Sequence, residues 1–381
     1  MSDATRIATL EAGAADAASY LGELAATLAS HGSNLAALRM AELEQKVSPY
    51  LAGPGAPIAP TVTVGGDVSR AGTSGAGARL LAGAVAYVTN TTSNTVSVIS
   101  LETQSVVATF PVIEEPRGIA VSPPTAIGAA YIYIARYGTH KVDVFSATTF
   151  LRVGEVDVGT TPLNGVAVTP DGAHVYVANY GGTTVSVIQT SDNTVSATVT
   201  VGTWPSGVAV TPDGAHVYVA IGGTSVKVIQ TSDNTVSATV TVGTSPWGVA
   251  VTPDGAHVYV TNAGGTTVSV IQTSDNTVSA TVTVGAGPSG VAVTPDGAHV
   301  YVANYNTDSV SVIQTSDNTV SATVTVGTGP HELAVSPDGA HVYVVMTTAD
   351  SVKVIQTSDN TVYKTITFGI GDVPFCLAIG S

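Results

Sequence analysis

The sequence predicts an all-β protein, a seven-bladed β-propeller closed by its C-terminal strand, with an α-helical hairpin at the N-terminus. The first observation is a stretch that begins at Gly165 and recurs almost letter for letter from Gly207, Gly248 and Gly290, at spacings of 42, 41 and 42 residues. A more worn copy follows from Glu332. Self-similarity with a period of about 40 to 45 residues is typical of propeller blades. The second observation is that each copy holds four short apolar stretches separated by turn residues, which predicts one four-stranded sheet per copy.

The copy that begins at Gly165 shows how each blade is built. Its strands are predicted at Val166–Val168, Val175–Ala178, Val185–Ile188 and Ala197–Val201. Apolar and small polar residues alternate along them with the period of two that a half-buried strand requires. Thr169–Gly172 reads TPDG, in which Pro fixes φ, Asp accepts a local hydrogen bond and Gly supplies a positive φ. Ser191–Thr194 is predicted to turn the chain between the third and fourth strands.

The repeated text also resembles a known family. VYVAN (175–179), VYVTN (258–262) and AYVTN (86–90), together with the TPDG turn, closely resemble the YVTN-type β-propeller repeat over residues 84–381. Proteins of this kind include surface-layer proteins, lactonase-like proteins and streptogramin-lyase-like proteins. The resemblance implies the fold strongly and a cell-surface or extracytoplasmic location. It says less about activity, because one fold hosts many functions.

The number of blades follows from counting motifs. The second-strand motif occurs seven times, at Tyr87, Tyr133, Tyr176, Tyr218, Tyr259, Tyr301 and Tyr343. The seventh first-strand motif, Phe375–Ile379, stands at the C-terminus with no second strand after it, and the second strand at Ala84–Asn90 has no first strand before it. Together they complete one blade, which closes the ring and removes the exposed sheet edges of a linear array.

Residues 1–51 form the predicted helical hairpin. Apolar residues recur there at helical spacing from Ile7 to Leu28, Gly32 offers a helix stop, and Ser33 offers an N-cap for a second helix. About 50 residues bury too little core to stand alone, so we expect self-association or partner docking through residues 4–47 rather than packing on the propeller. Residues 52–83 are a predicted Pro/Gly/Ser-rich linker. Within it, Thr61–Gly65 repeats fourth-strand text and has no assigned place.

Composition excludes several classes of function. The formal net charge is −15 with 12 basic residues, so the clustered cations of a nucleic-acid surface are not expected. No apolar run reaches the roughly 18 residues of a membrane span. The lone Cys376 is expected to be a buried apolar residue. No secretory signal is recognised at the N-terminus, so both a cell-surface and a cytoplasmic location stay open. No phosphate loop or HExxH, CxxC or GxSxG motif occurs, and we predict no cofactor and no metal.

Variation within the copied text is concentrated on one face. The TPDG and TSDN turns share the constant face, whereas the loops between second and third strands and the crossovers between blades share the variable face. One residue enters each first strand at the variable face and should reach the mouth of the central channel. These residues are Arg117, Asn164, Ser206, Trp247, Ser289, His331 and Phe375.

Three features of the variable face suggest binding or chemistry. His331–Glu332 puts a titratable pair where sister blades have Ser-Gly or Trp-Gly. Trp204 and Trp247 lie in crossovers and suit a flat apolar or sugar-like ligand. A basic group in the second blade could hold a carboxylate or phosphate; it comprises Arg117, Arg136, His140 and Lys141. Tyr180 and Tyr305 of the variable loops complete the predicted rim.

Two functions compete on this sequence. A non-enzymatic binding or scaffold protein, presenting the variable face to a protein or small ligand and multimerised by its helices, is favoured because catalysis needs several unlike groups and near-identical blades supply few. The alternative is a lyase-like or lactonase-like enzyme that uses His331 and Glu332 at the channel mouth. The histidines of the constant turns are expected to be structural because they are copies of one position, at 174, 216, 257, 299 and 341.

Overall fold

The computed structural model describes residues 83–124 and 130–380, which form seven four-stranded antiparallel sheets. The helical hairpin predicted for residues 1–51, most of the linker and the unassigned stretch Thr61–Gly65 lie outside the described residues and stay predictions. No helix within the described ranges is long and apolar enough to cross a membrane. The prediction of an all-β, seven-bladed propeller is confirmed.

The blades are numbered from the N-terminus, and each contains four strands. In chain order the strands are β1 Val85–Asn90, β2 Thr95–Ser100, β3 Ser105–Pro111, β4 Pro116–Val121, β5 Tyr131–Arg136, β6 Lys141–Ser146, β7 Arg152–Asp157, β8 Pro162–Val168, β9 His174–Asn179, β10 Thr184–Gln189, β11 Thr194–Thr200, β12 Val208–Val210, β13 His216–Ile221, β14 Ser225–Gln230, β15 Thr235–Thr241, β16 Pro246–Val251, β17 His257–Asn262, β18 Thr267–Gln272, β19 Thr277–Thr283, β20 Pro288–Val293, β21 His299–Asn304, β22 Ser309–Gln314, β23 Thr319–Thr325, β24 Pro330–Val335, β25 His341–Met346, β26 Ser351–Gln356, β27 Thr361–Thr367 and β28 Pro374–Gly380. A single 3-10 turn, Tyr305–Thr307, interrupts the described strands.

Blade 1 closes the ring as the sequence predicts. Its strand order is β28-β1-β2-β3, so the last strand of the chain is the innermost strand of the first blade. β28 pairs antiparallel with β1, with Leu377 opposite Val88 and Ala378 opposite Tyr87. β28 also contacts the innermost strands of both neighbouring blades, β24 and β4. The closure therefore gives β1 a partner on each side and leaves no innermost strand unpaired.

The core lies between blades, where neighbouring sheets pack face to face. The cluster between blades 3 and 4 shows the pattern: Tyr176 and Val187 of blade 3 pack with Val219 and Ile229 of blade 4. The central two strands of each blade carry most of these fully buried side chains. Each buried Val or Ile contributes about 1.5–3 kcal/mol relative to exposure, so a blade is stabilised mainly by its neighbours.

The constant turns are held by the hydrogen bonds that the TPDG text predicts. In blade 3 the Thr169 hydroxyl donates to Asp171 Oδ1 at 2.6 Å, and the Ala173 N–H donates to the same oxygen at 2.9 Å. These bonds, that of Thr169 first, lower the pKa of the Asp171 carboxyl. Gly172 adopts a φ of 71°, which a side chain would disfavour. The turn is therefore a structural unit, in keeping with its repetition.

A tyrosine–asparagine hydrogen bond links most neighbouring blades. The buried Tyr259 hydroxyl of blade 5 donates to Asn318 Oδ1 of blade 6 at 2.8 Å. Equivalent bonds of 2.7 Å start from Tyr176, Tyr218 and Tyr301. The bond from Tyr133 is longer, at 3.5 Å. At the junction of blades 7 and 1 the turn between β2 and β3 carries Gln104 in place of asparagine. Gln104 lies close enough to act on the pKa of Tyr343, but the Tyr343 hydroxyl makes no hydrogen bond of ordinary geometry within the described residues.

We expect deletion of residues 375–381 to lower thermal stability strongly. The deletion removes the innermost strand of blade 1 and exposes Val88 and Tyr87 of β1. Losing the buried side chains of β28 should cost more than about 5 kcal/mol. Thermal unfolding followed by circular dichroism checks this. Ile370→Ser, a change at a fully exposed side chain in the preceding crossover, is the control. A truncated protein that melts with the wild type would mean that β28 does not close the ring.

Tyr259→Phe should reduce the free energy of unfolding by about 1 kcal/mol, because it removes one hydrogen bond between blades. The matched control is Tyr343→Phe, which deletes a hydroxyl that lacks the tyrosine–asparagine bond and should therefore cost less stability than Tyr259→Phe. Urea denaturation of the three proteins measures the difference. Equal losses in both variants would show that the inter-blade bond contributes nothing.

Candidate functional site

Breaks in strand register position the residues at the channel mouth. In blade 7, Pro330 pairs with Met346 and Leu333 with Val344, so both His331 and Glu332 lie opposite Val345 alone. The innermost strands of blades 1, 2, 3, 5 and 6 break register at the equivalent point. Such a β-bulge turns a side chain out of the regular alternation. In these six blades the residue entering the first strand is thereby aimed away from the sheet.

These residues surround a cavity of about 550 Å³, which we call the channel-mouth pocket. Six of the residues predicted from the sequence line it: Arg117, Trp247, Ser289, Tyr305, His331 and Phe375. Other lining residues come from the variable loops and crossovers and were not singled out by the sequence, including Thr91, Asn306, Thr348 and Val373. In the sequence, the only feature that marks these residues is that they lie in loops that differ between blades. No acidic side chain is among the lining residues described.

Four of the lining residues carry rings that approach one another, and Tyr180, a predicted residue that does not line the pocket, adds a fifth ring beside them. The five residues, which we call the aromatic cluster, are Tyr180, Trp247, Tyr305, His331 and Phe375. The His331 ring lies 4.6 Å from Phe375, 6.2 Å from Trp247 and 6.4 Å from Tyr305, measured between centroids. Tyr180 meets Trp247 edge to face at 5.9 Å. Because these residues belong to different blades, their contacts cross the mouth of the channel and give the pocket an apolar wall.

His331 is held in one orientation and one tautomer. Its Nδ1 lies 3.2 Å from the Phe375 carbonyl oxygen, which can only accept, so Nδ1 carries the proton and donates. Nε2 is then the unprotonated nitrogen of the neutral ring. The Ser289 hydroxyl donates to the His331 carbonyl oxygen at 2.7 Å and fixes the backbone. Burial, with a smaller contribution from the Arg117 charge, lowers the pKa of His331 to about 4.

Glu332 does not join His331 in the pocket. It occupies the register position that is glycine in blades 2 to 6, and its Oε1 lies 3.0 Å from where a Cβ on Gly290 would stand. The adjacent residues thus point in different directions, as a bulge allows. Burial raises the pKa of Glu332 to about 7. The predicted His–Glu pair is therefore two separate, half-buried groups, and the space left by Gly290 admits the glutamate.

Two buried hydrogen-bond donors at the pocket have no partner in the part of the chain that the structure describes. They are Nε of Arg117 and Nε1 of Trp247. Asn164, next to Arg117 in the ring, likewise leaves Oδ1 without a partner. Buried polar groups without hydrogen bonds are costly and uncommon. A ligand oxygen could accept from Arg117 Nε or Trp247 Nε1 once the side chains that cover these two atoms shift.

The remaining members of the predicted basic group are engaged elsewhere. Arg136 is buried and pairs with Glu155 at 3.1 Å and Asp143 at 3.7 Å, and Lys141 pairs with Asp157 at 3.0 Å. This network lies within β5, β6 and β7. The structure thus leaves Arg117 apart from the predicted group, because neighbouring acids on the same blade neutralise the other cations.

Three further predicted residues lie at the variable face without lining the pocket. Ser206 is buried and donates to the Pro246 carbonyl oxygen at 3.2 Å. His140 is exposed, and its Nδ1 accepts from the Thr161 N–H at 2.8 Å. Trp204 is 60% exposed and adopts a φ of 54°, a strained conformation for a bulky residue. Of these, Trp204 alone presents a free apolar surface.

The structure describes no group of three or more His, Cys, Asp or Glu residues arranged to hold a metal ion. Cys376, the residue of blade 1 that corresponds to Glu332, is buried as predicted. Burial raises the pKa of its thiol, and the nearby Glu332 adds to this effect. Neither finding adds a chemical group to the channel-mouth pocket.

Comparison with known proteins supports a lactonase-like propeller. The family described as "Lactonase, 7-bladed beta-propeller" matches residues 270–365, a minority of the chain. No curated protein matches. The YVTN repeat itself stays a resemblance of the sequence.

Three solved structures illustrate the likeness of fold. A putative 6-phosphogluconolactonase from Bacteroides fragilis has a TM-score of 0.66 and 18% identity, covering 79% of this chain and 99% of that one. A putative 6-phosphogluconolactonase from Bacteroides uniformis has 0.66 and 16%, covering 78% and 99%. A functionally unknown protein from Desulfotomaculum acetoxidans has 0.67 and 16%, covering 77% and 98%. At these identities the likeness establishes the propeller fold.

His331 should titrate near pH 4 and stay neutral, with the proton on Nδ1, throughout the range above about pH 5. Because this folded-state pKa lies below the ordinary value of 6.5, the unfolded chain binds the proton first. His331 therefore lowers stability as pH falls from about 6.5 toward about 4. Nitrogen NMR of ¹⁵N-histidine-labelled protein reports both tautomer and midpoint, with His331→Phe identifying the resonance. A midpoint near 6.5 or a proton on Nε2 would contradict the geometry.

Proposed function

We propose that the protein is a lactonase-like hydrolase whose active site is the channel-mouth pocket. The observation that carries the proposal is His331, whose Nδ1–H is held by the Phe375 carbonyl oxygen, so that Nε2 serves as a base in an apolar pocket. A general base must have the right protonation state at working pH. His331 has it, because burial keeps the ring neutral.

The proposed reaction opens a cyclic ester with one water molecule. Nε2 of His331 takes a proton from the water as its oxygen bonds to the carbonyl carbon. Once the side chains covering it shift, the Trp247 N–H, which lacks a protein partner, donates to the carbonyl oxygen as negative charge develops there. The ring C–O bond then breaks, and the departing oxygen takes the proton from the His331 imidazolium. The product is the open hydroxy acid.

The similarities support the same class of reaction. The family that matches residues 270–365 is described as lactonase, and two solved propellers of the same fold are named putative 6-phosphogluconolactonases. The sequence alone favoured a non-enzymatic scaffold, because near-identical blades supply few unlike groups. The channel-mouth pocket answers that objection, since its histidine, arginine, tryptophan and phenylalanine each come from a different blade.

The test is hydrolysis of a panel of γ- and δ-lactones by the full-length protein, followed by acid release in a pH-stat. We expect turnover that His331→Ala reduces by about 10²- to 10⁴-fold, the usual contribution of a general base. The rate should rise with pH through about 4, as His331 loses its proton, and level off above it. His174→Ala, which alters a copied turn histidine on the constant face, should keep full activity.

Glu332→Gln separates this proposal from a joint His–Glu mechanism. Since Glu332 lies outside the pocket, the variant should retain most of the activity. Loss of turnover in Glu332→Gln equal to that in His331→Ala would make the carboxylate part of the machinery. Absence of lactone turnover in the wild type across the panel would return the protein to the binding or scaffold class.

A further inference from the structure

We propose that the channel-mouth pocket selects a cyclic ligand with a single negative charge, a carboxylate held by Arg117, and discriminates against doubly charged phosphate esters. The inference deepens the proposed function by naming the charge of its substrate, and it rests on that function only for the hydrolytic step. The solved propellers named putative 6-phosphogluconolactonases would suggest a phosphorylated substrate. The charges in this chain's own pocket point elsewhere.

The described lining of the pocket carries a single full charge. Arg117 is the only residue with a full charge among the lining residues that the structure describes. His331, the other basic lining residue, is held neutral by burial. Glu115 is exposed, and its negative charge acts on Arg117 from outside the lining. The pocket therefore offers one positive charge, with an acid nearby that opposes any second negative charge.

Two aromatic rings hold the Arg117 guanidinium, and no acidic side chain of the described residues pairs with it. Its guanidinium carbon lies 4.0 Å from the centroid of the Tyr137 ring and 4.8 Å from that of Phe375. The two rings restrain the guanidinium while its buried Nε has no partner. The described structure gives Arg117 no ion pair, unlike Arg136 and Arg152. A guanidinium without an acidic partner matches the two oxygens of a carboxylate through its two terminal nitrogens, with two parallel hydrogen bonds.

The apolar wall of the pocket makes a second, unpaired charge on the ligand costly. A charge moved from water into such surroundings is costly unless it is paired. One carboxylate is matched by Arg117, whereas the second charge of a phosphate ester would be unmatched. Phosphate sites usually add a helix N-terminus, a lysine or a glycine-rich nest of N–H groups. Among the lining residues described there is no lysine, and none begins an α-helix.

The experiment compares benzoate with phenyl phosphate, two ligands with the same ring and different charge. Binding to the full-length protein is followed by tryptophan fluorescence in a Trp204→Phe background, which leaves Trp247 as the sole indole. At about pH 7.5 we expect benzoate to bind at least about tenfold more tightly. At about pH 5 phenyl phosphate has become a monoanion, since its second pKa is about 6, and its affinity should rise. Benzoate stays a monoanion and His331 stays neutral over this range. Protonation of Glu332 near pH 7 acts on both ligands alike, so the rise in affinity should be larger for phenyl phosphate than for benzoate.

Arg117 variants test the assignment. Arg117→Gln should weaken benzoate binding about 10- to 100-fold, the range expected for loss of a charge-assisted pair. Arg117→Lys, which keeps the charge but loses the planar fork, should recover part of the affinity. Lys227→Gln removes the same charge from the exposed outer part of blade 4, where its Nζ donates to Thr239, and should bind as the wild type. Matching melting curves exclude misfolding.

Several results would overturn the proposal. They are failure of benzoate to bind, equal or tighter binding of phenyl phosphate at about pH 7.5, and equal effects of Arg117→Gln and Lys227→Gln. The proposed function fails separately. Arg117-dependent benzoate binding in a protein that opens no lactone would keep the monoanion site and discard the hydrolase. Lactone turnover without preference for carboxylate-bearing rings would keep the hydrolase and discard the monoanion site.

Discussion

The antiparallel pairing of β28 with β1 is the interaction on which the rest of the molecule depends. It joins the last strand of the chain to the first blade and so allows every blade to bury both of its faces. The same strand brings Phe375 to the channel mouth, where its carbonyl oxygen sets the tautomer of His331 and its ring packs against Arg117. Closure of the ring and assembly of the candidate site are thus one structural event.

The two faces of the propeller differ in role: the constant face holds the turns that stabilise the blades, and the variable face holds the candidate site. On the constant face of blades 3 to 7, the hydroxyl of Thr or Ser donates to the Asp of the same turn, and changes there would break a turn. On the variable face, the bulge frees one side chain per blade from the demands of the sheet. A position freed in this way can be serine in one blade and histidine in another without disturbing the packing between sheets. Unlike groups can therefore gather in a nearly uniform ring.

Much of the fold could be predicted because its determinants are local and repeated. The period of about 42 residues gave the blade, the alternation of Val185 to Ile188 gave the strand, and the orphan strand at Phe375 gave the closure. The membership of the pocket was partly predictable, since any residue entering a first strand should reach the channel mouth. Register breaks leave no clear mark in the text, however, so Glu332 was expected beside His331 and lies elsewhere.

The sequence also could not show which cations of the predicted basic group are free to bind a ligand. Arg136 and Arg117 lie in the same blade, and either could have faced a ligand. Which of them is free depends on cross-strand neighbours, Asp143 and Glu155, whose register had to be known. The same holds for the orphan donors of Arg117 and Trp247, because the absence of a partner is a property of three-dimensional packing rather than of composition.

The uneven distribution of the tyrosine–asparagine bonds has a mechanical consequence. Short tyrosine–asparagine bonds join blades 3 to 7, which we call the arc. The bond from blade 2 to blade 3 is longer, and the junction of blades 7 and 1 lacks one. We call blades 1 and 2 the seam, because they lack the short tyrosine–asparagine bonds; at their own junction the Tyr87 hydroxyl donates to the Ala147 carbonyl oxygen at 3.4 Å. Phe375 and Arg117 lie on that seam, and Trp247 lies on the arc. A ligand bound among these residues would contact both the seam and the arc. Binding would therefore stabilise the closed ring, and ring closure would favour binding.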